Sequence, residues 1–269
     1  MQKGIAFIGG GNMASALIGG LLRSGQPAAS IVVVEPIEAQ RAKLAQMFGV
    51  APQAAPDAAL AGAAIVVWAV KPQLFRQAAL ACAPFVATAL QVSVMAGIRS
   101  QAIADATGAP AVVRAMSNTP ALIGRGIAGL FARAAVTQAQ RDAAEALLQP
   151  TGAVMWLQRE DDLDAVTALS GSGPAYVFYV LEAMMQAAVE MGLTQEQGKQ
   201  LALATFDGAT ALAAASSETP ATLRQQVTSK GGTTHAAISA LQAQGVGPAF
   251  VQAVRAAQRR AAELGDEFG

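Results

Sequence analysis

Cysteine and histidine are almost missing from this chain, with one of each, Cys82 and His235, in 269 residues. A single thiol excludes an internal disulfide framework and is the usage expected of a reducing compartment, so a cytoplasmic location is expected. One thiol and one imidazole also leave no Cys/His metal centre to assemble, and no metal is expected. The lone histidine has no nucleophile patterned around it, which removes the hydrolase triads. Charge is sparse as well: 13% of residues are charged, and 18 basic and 18 acidic side chains cancel. No basic cluster exceeds the pair Arg259-Arg260, so a nucleic-acid partner is not expected. Long apolar runs are missing too. The longest, Ala58 to Val70, is too short to span a bilayer, and no membrane partner is expected. Lys3 ahead of an apolar stretch imitates a secretory leader, but Asn12 and a glycine cluster interrupt it.

What the chain has in plenty is apolar material, 53% of residues, together with 26 glycines. That suffices for one large domain or two modest ones, with a surplus whose usual use is a subunit interface.

The chain is organised around Gly9-Gly10-Gly11-Asn12-Met13-Ala14. Ile5-Ala6-Phe7-Ile8 before it is short and wholly apolar, as a strand buried on both faces should be. After it, Met13, Leu17 and Leu21 recur at helical spacing. A G-x-G-x-x-A pattern on a strand-to-helix turn points to dinucleotide binding. Gly9 permits the turn, Gly11 lets a pyrophosphate approach the backbone, and Ala14 allows close packing of helix on strand. The helix start then offers free N–H groups to phosphate.

Ile31-Val32-Val33-Val34 reads as the second strand, with Glu35 at its end. An acid here accepts hydrogen bonds from ribose hydroxyls and favours NADH, or is an ordinary acid in a loop before Pro36. Arg41, a helical turn on, suits a 2′-phosphate instead, so the cofactor preference stays open on the residues alone. Ile65 to Val70 is a further strand ending in Lys71-Pro72-Gln73, where proline halts it. Gln91 to Met95 closes with Ala96-Gly97, small enough for a flat ring to approach, and Val112 to Met116 runs into Ser117-Asn118-Thr119-Pro120. Three strands thus end in special turns on one edge of an open α/β sheet, the edge where ligands bind. Ile127 to Phe131 and Val154 to Leu157 complete the strands, with a capping box, Thr137…Gln140, opening the helix between them.

Past Trp156 the strand signals stop, and the acidic stretch Glu160-Asp161-Asp162 marks a boundary near residue 160. The remainder reads as helices: Ala175 to Met191 after Ser170-Gly171-Ser172-Gly173-Pro174, then starts at Thr194…Gln197 and Thr219-Pro220, then His235 to Gln244 and Pro248 to about Leu264. Such an Ala-, Leu- and Met-rich helical half is expected to pack against a copy of itself. Between two of its helices, Ser229-Lys230-Gly231-Gly232-Thr233-Thr234 opens several N–H groups suited to a carboxylate, or is a plain helix start capped by Thr233 or Thr234.

The blocks G-x-G-N-M-A, A-V-K-P-Q, R-A-M-S-N-T-P-A, D-A-V-T-A-L-S-G-S-G-P-A-Y and S-K-G-G-T-T-x-x-A span nearly the whole chain in order. Together they resemble the pyrroline-5-carboxylate reductase family. The resemblance implies an α/β Rossmann-like domain over residues 1–160, followed by an all-α dimerisation and substrate-binding domain over residues 161–269. It implies hydride reduction of the cyclic imine 1-pyrroline-5-carboxylate to L-proline, the last step of proline biosynthesis. NADPH is the cofactor more often than NADH in this family, and its dimers commonly assemble to decamers. Carried onto this sequence, Gly9, Gly11, Asn12 and Met13 would hold the pyrophosphate. Ala69, Val70, Lys71 and Pro72 would line the ribose and nicotinamide side of the cofactor, with Met95, Ala96 and Asn118 near the ring. Ser229, Gly231, Gly232 and Thr233 would cradle the substrate carboxylate, and Thr234, the one catalytic candidate, would reach the ring nitrogen.

Three departures from the family pattern stand out. Ser117 replaces a usual proline and should loosen the turn before Asn118, Met95 replaces a smaller residue and should narrow the nicotinamide pocket, and Lys230 adds a charge to the substrate turn. Tyr176 and Phe178 suit packing in the dimer core better than a wall of the substrate pocket. His235 is expected in a first helical turn and Cys82 in the core. A β-hydroxyacid dehydrogenase, the rival enzyme, would need a motif-borne lysine in the helical half, and neither Lys199 nor Lys230 has that setting. A cofactor-binding sensor without turnover is the rival of another class, and the intact substrate turn speaks against it.

Overall fold

The computed structural model describes residues 4–268, so the leader-like Lys3 lies outside the described residues. Two compact units emerge, one formed by the chain up to Gly173 together with Ala256 onward, the other by Pro174–Arg255.

The first unit is built on a seven-stranded sheet in the order β2-β1-β3-β4-β5-β6-β7. Its strands are β1 (Gly4–Ile8), β2 (Ile31–Val34), β3 (Ala63–Trp68), β4 (Leu90–Ser93), β5 (Val112–Met116), β6 (Gly126–Ala132) and β7 (Gly152–Trp156). The first five are parallel, linked by helices α1 (Asn12–Arg23), α2 (Glu38–Phe48), α3 (Phe75–Val86) and α4 (Ser100–Thr107). The order reverses between β1 and β3, the switch point at which an open sheet leaves a ligand crevice. β6 turns back antiparallel to β5, and α5 (Gln138–Leu148), started by the capping box of Thr137 and Gln140, returns the chain to β7 parallel to β6.

Both faces of the sheet are covered, and the two-residue strand period sorts the side chains between them. Ile5 and Phe7 join Leu17, Val33, Val67 and Leu147 on one face, while Ala6 and Ile8 join Val66, Trp68, Phe75 and Cys82 on the other. On that second face the buried Gln91 is paired off: Trp68 Nε1 donates to Gln91 Oε1 at 2.9 Å, and Gln91 Nε2 donates to the carbonyls of Val86 and Ala89. Cys82 is 1% exposed, and burial pushes its thiol up to about 11.

After β7 the chain forms α6 (Asp162–Val166), a wide π turn over Thr167–Gly171, and α7 (Gly173–Glu190). Then come α8 (Gln195–Ala215), α9 (Pro220–Gln226), α10 (Thr233–Ala243) and α11 (Val246–Phe268), with Thr194 and Thr219 accepting the capping hydrogen bonds of α8 and α9. In the second unit Gly198 of α8 lies so close to α7 that a Cβ would fall 2.8 Å from that of Ala188. Tyr176 and Phe250 meet edge to face at 5.7 Å. Among the described residues no helix is long and apolar enough to cross a membrane.

Candidate active site

β1 delivers the chain to a glycine turn that only glycine can make. Gly9 has φ of +96°, and a Cβ there would lie 2.6 Å from the Ala69 carbonyl oxygen. Gly11 has the opposite surroundings: a Cβ there would meet nothing within 4 Å. It is the N-cap of α1 and, among the described residues, no side chain caps that helix and no acid occupies its first turn. Asn12 is exposed, Met13 half-buried and Ala14 wholly buried, so the helix starts hard against the sheet with its first amides open. That opening, with space beside Gly11 and a partial positive charge behind it, fits a dinucleotide's pyrophosphate.

Beside this turn the other strand ends follow in sheet order. The Ala69 amide donates to Ile8 O at 2.9 Å and the Val94 amide to Trp68 O at 3.0 Å, which brings β1, β3 and β4 out at one edge. Ala69, Val70 and Pro72 are half-buried there and Lys71 is exposed. Ala96 is half-buried, but Met95 is 4% exposed and belongs to the apolar cluster around Trp68 and Ile98. The expected narrowing of the crevice by Met95 is therefore corrected: its thioether is turned into the core. Asn118 Oδ1 accepts the Ile127 amide at 3.1 Å, and Pro120 starts a 3-10 turn over Thr119–Ile123. The Ser117 hydroxyl beneath is buried without a hydrogen-bond partner among the described residues.

Glu35 and Arg41, set against each other by sequence, lie just past β2 and in the first turn of α2. Glu35 is buried, and its two oxygens accept the Gly10 amide at 2.9 Å and the Ile37 amide at 2.8 Å. Gln40 Nε2 donates to the Gly10 carbonyl from the same side. The carboxylate thus braces the glycine turn. Arg41 folds over the outside of the loop, its Nη1 donating to the carbonyls of Glu35 and Pro36 at 3.0 and 2.7 Å.

In the second unit, Ser229 to Thr234 form a separate turn. Gly231 has φ of +78°, and Gly232 is the N-cap of α10 in extended conformation. The plain-cap alternative does not apply, because Thr233 and Thr234 lie inside the helix and no side chain caps it. The Gly232 amide donates to Ser229 O at 3.0 Å, and a Cβ on Gly232 would fall 2.6 Å from Ser229 Oγ. A hydroxyl, the first amides of α10 and the Thr233 and Thr234 side chains are thereby gathered at one helix start. His235 follows in the first turn, exposed.

Sequence reasoning read Glu160-Asp161-Asp162 only as a boundary and missed an ionic cluster in the first unit. Glu160 Oε1 accepts the Ser100 amide at 2.6 Å and Arg114 Nη1 at 2.9 Å, and its Oε2 accepts the Ser100 hydroxyl at 2.5 Å. Arg99 pairs with Asp164 at 3.0 Å. Burial by itself would raise the Glu160 carboxyl, but the hydrogen bonds from Ser100 and Arg114 outweigh it and hold the group below the usual carboxylate range. Burial likewise lowers Arg114, opposed by the same carboxylate. The signal was available: an arginine inside the apolar run Val112 to Met116 has to be paired if that run is a buried strand.

Among the described residues no group of three or more His, Cys, Asp or Glu side chains is placed to hold a metal ion. Residues 160–264 match the family model described as pyrroline-5-carboxylate reductase dimerisation, and residues 4–97 that described as NADP oxidoreductase, coenzyme F420-dependent. The chain is similar to the pyrroline-5-carboxylate reductase of Pseudomonas aeruginosa, 45% identical over 267 residues and 98% of each chain. Its structure is similar to that of a pyrroline-5-carboxylate reductase from Coxiella burnetii, at a TM-score of 0.90 and 35% identity over 98% of this chain and 99% of that one. It shares its fold with a Plasmodium falciparum pyrroline carboxylate reductase solved with NADP bound, at a TM-score of 0.89 and 24% identity over 98% of both chains.

Proposed function

The chain belongs to the pyrroline-5-carboxylate reductase family, and on that premise we infer how its residues reduce 1-pyrroline-5-carboxylate to L-proline with NADPH, closing proline biosynthesis. Gly9, Gly11, Asn12 and Met13 form the pyrophosphate cradle at the open start of α1. Ala69, Val70, Lys71 and Pro72 line the ribose side, and the backbone at Met95 and Ala96, with Asn118, seats the nicotinamide. The bound nicotinamide supplies a hydride; the chain supplies position.

NADPH is favoured over NADH by the arrangement of one loop. The Glu35 carboxylate, which would repel a 2′-phosphate, is buried and engaged by two amides, while the Arg41 guanidinium lies on the outside.

The single observation that carries the substrate assignment is the uncapped start of α10. Its amides, with the Ser229 hydroxyl, Gly231, Gly232 and Thr233, match a carboxylate in charge and in donor number. A carboxylate anchored there leaves Thr234 Oγ1 to hydrogen-bond the ring nitrogen. A hydroxyl is a weak acid at neutral pH, so Thr234 orients the protonated imine rather than driving its protonation. The imine carbon gains the hydride and the nitrogen keeps its proton, so most of the rate comes from alignment.

Residues 1–160 serve the cofactor in this reading, and residues 161–269 serve the substrate and a second copy of the chain. Val177, Phe178, Val180, Met184 and Leu201 expose apolar surface on α7 and α8, consistent with a homodimer that can assemble further to a decamer. The enzyme works in the cytoplasm without a membrane or nucleic-acid partner. Initial rates of NADPH and NADH oxidation, with and without 1-pyrroline-5-carboxylate, test the reading. Imine-dependent oxidation faster with NADPH is expected. Binding of both cofactors without oxidation would leave only a sensor.

A further inference from the structure

We propose that Glu160 is a positioning residue for hydride transfer: it clamps together the two loops that flank the nicotinamide seat, residues 94–99 after β4 and residues 117–119 after β5. The inference rests on the cofactor reading above and names a residue with no part in it so far.

The loop after β4 has little to hold it by itself. Ala96 and Gly97 contribute almost no side chain, and Gly97 has φ of +76°. The helix that should anchor its far end begins with Arg99 as N-cap, a side chain with no acceptor to offer the helix amides. Glu160 supplies from a distance what the local sequence lacks. One oxygen takes the Ser100 amide at 2.6 Å and the other the Ser100 hydroxyl at 2.5 Å, so a carboxylate caps α4 where the helix end carries partial positive charge.

The same carboxylate holds β5. Arg114 is 5% exposed in the middle of that strand, and its Nη1 reaches Glu160 at 2.9 Å. Four residues on, the strand delivers Asn118. A change at Glu160 is therefore felt on both sides of the seat at once. Arg99 grips the first loop a second time. Its guanidinium donates to Asp164 at 3.0 Å and lies flat under Gly265 of α11, where a Cβ would fall 2.6 Å from Nη2. Leu264 of the same helix packs over Gly97, its carbonyl oxygen 3.1 Å from where a Cβ would be. Among the described residues, the bracing of the phosphate cradle at Gly9 to Met13 runs through Glu35 and Gln40 and not through any of these groups.

That separation makes the test selective. NADPH spans both halves of the crevice, whereas adenosine 2′,5′-bisphosphate fills only the adenosine half. Wild type, Glu160→Gln and Ser100→Ala are titrated with each ligand by calorimetry, and kcat and KM for NADPH are measured alongside. Glu160→Gln is expected to weaken NADPH and lower kcat, on the order of tenfold for a displacement well under the 1 Å that can cost a hundredfold, with the bisphosphate affinity unchanged. Ser100→Ala, which keeps the amide bond and the ion pair, moves the same quantities in the same direction by less, and carries the comparison if Glu160→Gln does not fold. Equal weakening of both ligands, or no change in either, would overturn the clamp. A wild-type enzyme that binds NADPH but reduces no imine would sink the functional reading instead, while the ratio of the two affinities still reports on Glu160.

Discussion

The Gly10 amide donates to Glu35 Oε2 at 2.9 Å, tying the end of β2 to the turn that opens α1. A residue whose sequence position suggests a ribose contact also braces the glycine turn in this structure. Replacing Glu35 by Ala strands the buried Gly10 amide, at a cost of about 1–3 kcal/mol, and leaves the more exposed Ile37 amide to water. We expect Glu35→Ala to weaken NADPH and NADH by similar factors and to lower the unfolding midpoint. A loss confined to NADH in paired titrations would return Glu35 to the ribose.

Two glycines two positions apart, Gly9 and Gly11, should respond differently to the same methyl group. Gly9→Ala combines positive φ with a Cβ 2.6 Å from the Ala69 carbonyl, so it should destabilise the fold itself by roughly 1–3 kcal/mol. Gly11→Ala meets open space in the free protein and should leave urea unfolding unchanged. It should still weaken NADPH by at least about tenfold, or 1.4 kcal/mol, because the methyl occupies the space offered to pyrophosphate. Chemical denaturation and cofactor titration of the two variants separate the effects.

Thr234→Ala is expected to lower kcat by about tenfold to a hundredfold while changing the affinity for NADPH little, since the hydroxyl addresses the imine and not the cofactor. Thr234→Ser, which keeps the hydroxyl, should restore most of the rate. Unaltered turnover in the alanine variant would remove Thr234 from the mechanism.

Glu160 carries a pH dependence whose sign follows from its depressed carboxyl. A carboxylate held below its unfolded value contributes stability that is present above that value, about 4.3 for glutamate, and is lost as pH falls through the folded value. The urea midpoint of the wild type should therefore exceed that of Glu160→Gln at neutral pH, and the gap should close on acidification below about pH 4. A gap that stays constant across this window would show that the charge of Glu160 is not what stabilises.

Much of this was legible in the residues because it depends on local pattern. The seven strands, the glycine turn and the capping threonines at 137, 194 and 219 are set by neighbours a few positions apart. The direction of β6 was not, since an antiparallel return depends on how the connection crosses the sheet and not on the alternation within the strand. Met95 misled for a related reason. A residue just past a strand end can face crevice or core, and only the packing around Trp68 decides. Glu160 was hidden by distance: its partners lie 60 and 46 residues away. The same limit applies to Thr233 and Thr234, where sequence offered a cap or an open helix start and the backbone at Gly232 chose the latter.

The solitary Cys82 lends the protein a built-in clock. The residue is 1% exposed, on the buried face of α3, and burial pushes its thiol up to about 11, so at neutral pH it is held as the unreactive thiol. A thiol reagent added to the intact enzyme can react only when the apolar layer around Trp68 and Phe75 parts. Labelling would be single-site and stoichiometric, and its rate would read how often this face of the sheet opens. Slower labelling with NADPH present would measure, in one number and without any engineered probe, how far the cofactor steadies the domain that binds it.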